Sequence, residues 1–175
     1  MIEIAEKTIK SALSGNHKSF QTIYEYYSPY IWKVIYRTVN GDPDTAAEVL
    51  QQTFIRVFKS GKQFKFNSHF STWLYRIAYN TALTVKMREQ VSAGRTEPLT
   101  ETAGSNSQNA EHAQREVESI MASLCAEDRF LLTGNAITGL SYEELSEITG
   151  KSAAALRIQI FRIKEAIRKK KGWHS

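Results

Sequence analysis

Apolar residues recur at three- and four-residue steps along most of the chain, which is the spacing of helices with one buried side. The clearest stripes lie in residues 20–39, 49–58 and 70–85. Further helical stripes follow in residues 117–132 and 145–167. No stretch alternates apolar and polar residues for long enough to predict a sheet. The pattern therefore predicts an all-α fold.

Short polar signals mark where several of these helices begin. Asp42 can cap a helix that has Pro43 in its first turn, where a missing N–H group costs little. Ser141 stands three residues before Glu144, which is the spacing of a capping box. Ser152 can cap the last helix. These signals indicate separate helices joined by short turns.

Residues 93–112 differ from the rest of the chain, because they are rich in Ser, Thr, Asn, Gly and Glu and contain one leucine. Such a segment cannot bury enough apolar surface to offset the entropy lost on ordering. We therefore predict a flexible linker over residues 93–112. It would join two small helical domains, residues 1–92 and residues 113–175.

The 175-residue chain has a formal net charge of +5, and this total hides an uneven distribution. Residues 1–92 hold 12 Lys and Arg against 7 Asp and Glu, and they carry 15 of the 19 aromatic residues. Residues 93–150 hold 3 basic residues against 10 acidic ones, whereas residues 151–175 hold 8 against 1. A basic C-terminal segment of this density favours a nucleic-acid partner.

Composition also bears on location. The apolar runs are too short for a membrane span, and charged residues interrupt the N-terminal apolar residues that a signal peptide would need. The single cysteine, Cys125, cannot form an internal disulfide, which fits a reducing compartment. We therefore expect a cytoplasmic protein without a membrane span.

No local pattern in the sequence indicates catalysis. The four histidines are His17, His69, His112 and His174. None of them has another His, Cys or carboxylate residue at the sequence spacing of metal ligands. There is also no glycine-rich phosphate loop and no nucleophile-elbow motif. We expect that the protein is not an enzyme and needs no metal or cofactor.

Residues 141–170 combine a short capped helix, a turn that contains Gly150 and a longer basic helix, which is the pattern of a helix-turn-helix. Ser152 and Arg157 lie at the start of the second helix, the part that enters a major groove. The alternative is a helical hairpin with a solvated cationic tail, and the charge of the segment favours DNA. The residues that can lock the two helices together are Leu145, Ile148, Leu156 and Ile160.

Aromatic and cationic residues are interleaved between residues 62 and 88. A base can stack on a ring while its phosphate meets a cation, so this composition suits unstacked DNA. Phe64 and Lys65 lie in a predicted loop and are candidates for such contacts. The alternative for Phe70 and Trp73, which have helical spacing, is that they belong to the core.

The order of these segments resembles the extracytoplasmic-function (ECF) group of bacterial RNA polymerase sigma factors, in the sigma-70 family. The strings WLYRIAYN and GLSYEEL carry most of the resemblance, which spans residues ~15–92 and ~113–170. It implies a region 2 that docks on the polymerase clamp and recognises and melts the −10 element. It also implies a region 4 whose helix-turn-helix reads the −35 element.

The resemblance implies roles for individual residues. Those that face the polymerase would be Glu48, Gln51 and Gln52, with Phe54 and Phe58 on the buried side of the same helix. Those at the −10 element would be Phe64, Lys65, Asn67, Trp73, Arg76, Asn80, Lys86 and Arg88. Those at the −35 element would be Ser152, Arg157, Gln159 and Arg162.

The implied partners are core RNA polymerase, through the clamp of its β′ subunit, promoter DNA and an anti-sigma factor. The residues alone leave a second function open. A stand-alone helix-turn-helix regulator would bind duplex operators without polymerase, as a dimer with defined half-site spacing. The two hypotheses differ in whether the isolated protein binds specific duplex DNA or shows little specific binding until core polymerase is added.

Overall fold

The computed structural model describes residues 4–93 and 118–170, and every regular element in these two ranges is helical. The all-α prediction is confirmed. The predicted linker, residues 93–112, lies outside the described residues apart from residue 93. The helices are α1 (Glu6–Leu13), α2 (His17–Thr38), α3 (Pro43–Ser60), a 3-10 turn (Gly61–Gln63), α4 (Phe70–Ala93), α5 (Ala126–Ala136), α6 (Tyr142–Thr149) and α7 (Ala153–Lys170), and residues 118–122 are also helical.

The N-terminal group, residues 4–93, packs α1 to α4 around one apolar core. Helix α3 lies between α2 and α4 and contacts both, while α1 packs on α2. Each fully buried aliphatic or aromatic side chain in such a core contributes roughly 1.5–3 kcal/mol. Side chains that are almost entirely buried there include Ile23, Tyr27, Ile31, Val49, Val57 and Leu74.

The ends of α3 are fixed as the sequence predicts. The Asp42 carboxylate accepts a hydrogen bond from the Asp44 N–H group at 3.1 Å, and Pro43 opens the helix. At the other end, Gly61 lies so close to α1 that a Cβ atom added there would be 2.8 Å from Leu13 Cδ2. Glycine therefore allows α3 to end close against α1, and a larger residue at this position would force Leu13 to shift.

The C-terminal group, residues 118–170, contains the predicted helix-turn-helix. The Glu144 N–H group donates to Ser141 Oγ at 3.1 Å, and the Ser141 N–H group donates to the Glu144 carboxylate at 2.8 Å, which confirms the capping box. Gly150 ends α6 with a φ of +76°, a conformation that favours glycine. The predicted lock between α6 and α7 is confirmed by the burial of Leu145, Ile148, Leu156 and Ile160.

The two groups pack against each other through α2 with α5 and through α4 with α6. At the centre of this contact lies Arg129 of α5, whose side chain is 1% exposed. Its Nε donates to the carbonyl oxygen of Thr38, at the end of α2, at 3.0 Å. Its Nη1 donates to the carbonyls of Leu124 at 2.7 Å and Met121 at 3.3 Å. One buried guanidinium thus joins both groups.

Replacement of Arg129 tests this joint. The variant Arg129→Met keeps an apolar stem but removes the donors to three carbonyls, each of which costs about 1–3 kcal/mol if left unsatisfied. We expect the free energy of unfolding to fall by about 2–5 kcal/mol, as measured by urea denaturation.

The matched control is Arg168→Met, because Arg168 is exposed and paired only on the surface with Glu165. A change at such a position is usually within about 0.5 kcal/mol. Equal losses of stability in the two variants would contradict the role assigned to Arg129.

Candidate functional site

An open apolar groove with a volume of about 870 Å³ runs along the surface between α2 and α3. Glu48 and Gln51 of α3 line this groove. Gln52 does not line it, and its side-chain amide instead donates to the Glu48 carboxylate at 2.6 Å. The structure therefore places two of the three predicted polymerase-facing residues in one groove, and the third orients one of them.

Aromatic side chains form one wall of the groove. Phe54 is buried, as the sequence predicts, and the Tyr24 ring packs on it at 4.8 Å. The prediction that Phe58 is buried is wrong, because its side chain is 41% exposed. Among residues 4–93 and 118–170, the rings against it are those of Phe20, at 5.2 Å, and His17, at 5.9 Å, so one side of Phe58 faces the open groove.

The loop before α4 has its aromatic residues turned inward. The Phe64 ring lies 5.1 Å from Trp73 and 5.6 Å from Phe70, and all three side chains are buried. The core alternative is therefore correct for Phe70 and Trp73, and it extends to Phe64. Lys65 and Asn67 of the same loop are exposed. The loop thus presents a cation and an amide to solvent, while the buried rings pack beneath it and hold its backbone in place.

The outer side of α4 carries the other predicted −10 residues. Arg76 and Asn80 are exposed and lie four residues apart, so they share one face of the helix. Arg88 is also exposed. Lys86 is half-buried, and its Nζ lies 2.7 Å from the Glu89 carboxylate. Lys86 is therefore partly neutralised by its neighbour, whereas the other three side chains face solvent.

Helix α6 lies against the loop before α4. A cavity of about 470 Å³ there is lined by Asn67 and His69 from the loop and by Glu144 and Glu147 from α6. Carboxylates repel the phosphates of a DNA strand. In this arrangement the C-terminal group therefore covers one side of the predicted −10 loop with negative charge.

The outer surface of α7 carries the predicted arginines of the helix-turn-helix. Arg157 and Arg162 are exposed, and the Arg157 guanidinium lies 5.0 Å from the centre of the Tyr142 ring. This cation–π contact holds Arg157 near the N-terminal end of α7. The Ser152 hydroxyl accepts a hydrogen bond from the Ala155 N–H group at 3.2 Å, which confirms the predicted cap.

Gln159 has a different environment from the arginines. Its Nε2 donates to the Asp128 carboxylate at 2.7 Å, and its Oε1 accepts from Lys151 Nζ at 3.2 Å. The side chain is half-buried and turned toward α5. The structure therefore turns Gln159 toward α5, whereas Arg157 and Arg162 are exposed to solvent.

Two tyrosines of α4 lie where the N-terminal and C-terminal groups meet. Burial raises the pKa of Tyr75 to about 12, and Tyr75 lies beside Thr138 of the other group. Burial also raises the pKa of Tyr79 to about 12, with a further contribution from the Glu127 carboxylate. Both phenols are held in the neutral form by the contact between the groups.

Two further observations concern residues 4–93 and 118–170. Within them, no three His, Cys, Asp or Glu side chains come together as ligands for a metal ion. None of the helices in these ranges has both the length and the apolar content to cross a membrane.

Comparison with known proteins decides the family. Residues 23–90 match the family model of sigma-70 region 2. The ECF RNA polymerase sigma-E factor of Salmonella typhimurium is 30% identical over 178 residues, which cover 91% of this chain and 90% of that relative. This chain belongs to the ECF RNA polymerase sigma factors.

Two other sigma factors match a similar share of this chain. The RNA polymerase sigma-H factor of Pseudomonas aeruginosa is 28% identical over 94% of this chain and 92% of its own length. The sigma factor RpoE of Bartonella quintana, solved in complex with the anti-sigma factor NepR, matches with a TM-score of 0.72 at 18% identity. That match covers 90% of this sigma factor and 99% of the solved chain, and it confirms the fold.

Several apolar residues of this sigma factor are exposed at the groove or on α7, and the predicted site residues do not include them. Tyr24 and Ile55 line the groove, and Ile158 and Phe161 lie on the outer surface of α7. Ile55, Ile158 and Phe161 lie off the buried stripes of their helices, which is a signal that the sequence contains. Tyr24 has the spacing of the α2 stripe, so the sequence predicts it to be buried with the others.

The two buried tyrosines predict how the sigma factor responds to high pH. In the folded state Tyr75 and Tyr79 should deprotonate near pH 12, above the ordinary tyrosine value of 10.0. The two buried, neutral phenols contribute to the free energy of unfolding. This contribution is complete below pH 10, and it is lost as the pH rises from 10 toward 12. An ultraviolet absorbance titration of phenolate formation measures this directly.

The double variant Tyr75→Phe and Tyr79→Phe should lose the late part of that titration and keep the rest. If all eight tyrosines of the unmodified chain ionised together near pH 10, the burial of these two phenols would be wrong.

Proposed function

We propose that this sigma factor binds core RNA polymerase and directs it to promoters by reading two DNA elements. The N-terminal group would dock on the polymerase and contact the −10 element, and the C-terminal group would read the −35 element. RNA synthesis would remain with the polymerase, so the sigma factor needs no catalytic residue or cofactor. Because the bacterial polymerase works in the cytoplasm, we place the protein there.

The proposal rests on one observation. A single chain has both an exposed apolar groove and a cationic helix-turn-helix. The groove is lined by Gln51 and by the exposed side chain of Phe58. A concave surface that exposed aromatic rings line and polar residues rim suits contact with another protein. A stand-alone regulator would use such a groove to pair with a second copy of itself, whereas a sigma factor must hold its polymerase. The similarity to sigma factors favours the polymerase as the occupant.

We infer that the clamp of the polymerase β′ subunit occupies the groove between α2 and α3. Glu48 and Gln51 would supply polar contacts at the lining, and Gln52 would act indirectly by holding Glu48. Ala47 also lines the groove and adds apolar surface beside these polar groups. Docking would therefore combine apolar contact with a small number of polar contacts.

For the −10 element, the exposed groups of the loop and of α4 would contact the unpaired strand. Asn67 and Asn80 can hydrogen-bond a base, while a phosphate can be met by Lys65, Arg76 or Arg88. Lys86 would attract the strand less strongly than these three cations, because its charge is paired with Glu89. Phe64 and Trp73 would act by packing, because they hold the loop in place from inside the core.

Helix α6 places carboxylates beside one side of the −10 loop in this structure, so a DNA strand at the exposed Asn67 side chain would be repelled unless α6 moved. Glu144 and Glu147 lie across the cavity from that side chain. The groove between α2 and α3 has no lining residue from the C-terminal group, so it is accessible without this movement. Polymerase docking would therefore precede contact with the −10 strand.

For the −35 element, α7 would enter the major groove with Arg157 and Arg162 toward bases and phosphates. Ser152 fixes the start of the helix through its cap. Gln159 would position α7 on α5 through its hydrogen bond to Asp128. We also propose an anti-sigma factor as a partner, since the solved Bartonella relative is in complex with one.

The proposal predicts the result of in vitro transcription with core polymerase and a promoter library. The sigma factor should enable initiation at a subset of promoters that share two spaced elements. The free protein should bind the same duplexes much more weakly than the holoenzyme does. Specific, tight binding of free protein to duplex DNA, with no initiation when polymerase is present, would favour the stand-alone regulator.

The groove itself can be tested with the variant Ile55→Asp. Ile55 lines the groove and is 45% exposed, so an acidic side chain there should leave the fold intact. A charge buried in an apolar contact without a partner is costly, and we expect core polymerase to bind at least about tenfold more weakly. Affinity measured without DNA, for example by fluorescence anisotropy, reports this effect.

The control for Ile55→Asp is Met87→Asp, because Met87 is an exposed apolar residue on α4 that does not line the groove. It introduces the same charge and should leave polymerase affinity unchanged. Equal losses in both variants would show that net charge, and not the groove, governs binding.

A further inference from the structure

The outer surface of α7 carries large apolar side chains that the fold does not use. Helix α7 is anchored by Leu156 and Ile160, which are fully buried against the rest of the C-terminal group. On the opposite side, Ile158 is 55% exposed and Phe161 is 62% exposed. These two side chains therefore face solvent in the middle of an otherwise cationic helix.

The neighbours of Ile158 show what kind of surface this is. Ala154 lies one turn before Ile158 on the same face and is small and exposed, so a partner can approach the helix closely there. Arg157 and Arg162 are exposed on either side of this face. The face thus has an apolar centre with a guanidinium group on each flank, which matches a base edge between two phosphate backbones.

The polar side chains of this part of α7 are already engaged elsewhere. The Gln159 amide is bonded to Asp128 and Lys151, and the Ser152 hydroxyl accepts from the Ala155 N–H group. The centre of the face therefore offers apolar contact in place of hydrogen bonds. The apolar group that a base pair presents in the major groove is the 5-methyl group of thymine.

We propose that Ile158 is a specificity-determining residue that contacts the 5-methyl group of a thymine in the −35 element. The inference rests on the proposed function of α7 and adds the chemical group that it reads. Arg157 and Arg162 flank the contact and attract the phosphates on each side, which favours DNA over an apolar protein partner.

The experiment uses holoenzyme formed from core polymerase and the full chain, on a promoter chosen from the library. Each thymine of the −35 element is replaced in turn by deoxyuridine, which removes the methyl group and keeps the base pairing. Loss of one buried methyl contact should lower promoter binding about three- to fivefold at one of these positions. Binding is measured as the fraction of promoter held in the complex at a series of holoenzyme concentrations.

The variants assign this effect to Ile158. With Ile158→Ala, the thymine and deoxyuridine promoters should bind equally, and Ile158→Val should retain most of the difference. Arg162→Ala is the matched control, because loss of a phosphate contact should weaken both promoters by the same factor. Ile158 is exposed, so these variants should keep the helical circular dichroism of the unmodified chain.

Three results would overturn the proposal. The first is equal binding of thymine and deoxyuridine promoters by the unmodified holoenzyme at every −35 position. The second is a methyl dependence that persists in Ile158→Ala. The third is loss of core polymerase binding in Ile158→Ala, which would assign this face of α7 to a protein contact. Failure of the unmodified chain to initiate on any unmodified promoter is a separate result, which would reject the proposed function and this inference with it.

Discussion

The arrangement of the two helical groups depends on one buried charge, the guanidinium of Arg129. Removal of a cation from water is costly unless its donors are satisfied. Here they meet the carbonyl of Thr38 at the end of α2 and those of Met121 and Leu124. Carbonyls at a helix end lack partners within the helix and carry the negative end of its dipole. The forked donors of arginine can serve several such carbonyls at once, which a lysine ammonium does with less directional fit.

The contact made by Arg129 determines which of the proposed binding surfaces are exposed to solvent. With α5 fixed against the end of α2, α6 comes to lie on α4, and its carboxylates Glu144 and Glu147 face the loop that contains Asn67. The groove along α2 and α3 and the outer surface of α7 remain exposed. The structure therefore leaves the proposed sites for polymerase and for the −35 element accessible, and it covers one side of the proposed site for the −10 strand.

Local features of the fold could be predicted from the sequence, because their causes lie within a few residues. The capping box of Ser141 and Glu144 and the turn at Gly150 are of this kind. Features that depend on distant packing could not. The loop position of Phe64 predicts contact with DNA, yet its ring is buried against Trp73. The position of Gln159 on α7 predicts contact with a base, yet its side chain is hydrogen-bonded to Asp128.

Arg129 shows the limit of prediction from local pattern most clearly. It follows Glu127 and Asp128 in the sequence, and an arginine beside two acids normally indicates a solvated helix surface. Its burial depends on the end of α2, which lies about ninety residues earlier in the chain. No periodicity in either segment encodes that pairing, so only the assembled fold reveals it.

Apolar residues that lie off a buried stripe are the one sequence signal for function that helical periodicity leaves unused. Ile55 and Ile158 are such residues, and both are exposed. What separates them is the charge of their surroundings. Ile55 shares its groove with aromatic rings and with one carboxylate and one ammonium group, those of Glu48 and Lys59, a setting of balanced charge that suits a protein. Ile158 lies between two arginines on a helix that follows a tight turn, a setting that suits a thymine between phosphates. The same apolar exposure therefore indicates different partners, and the neighbouring charges decide which.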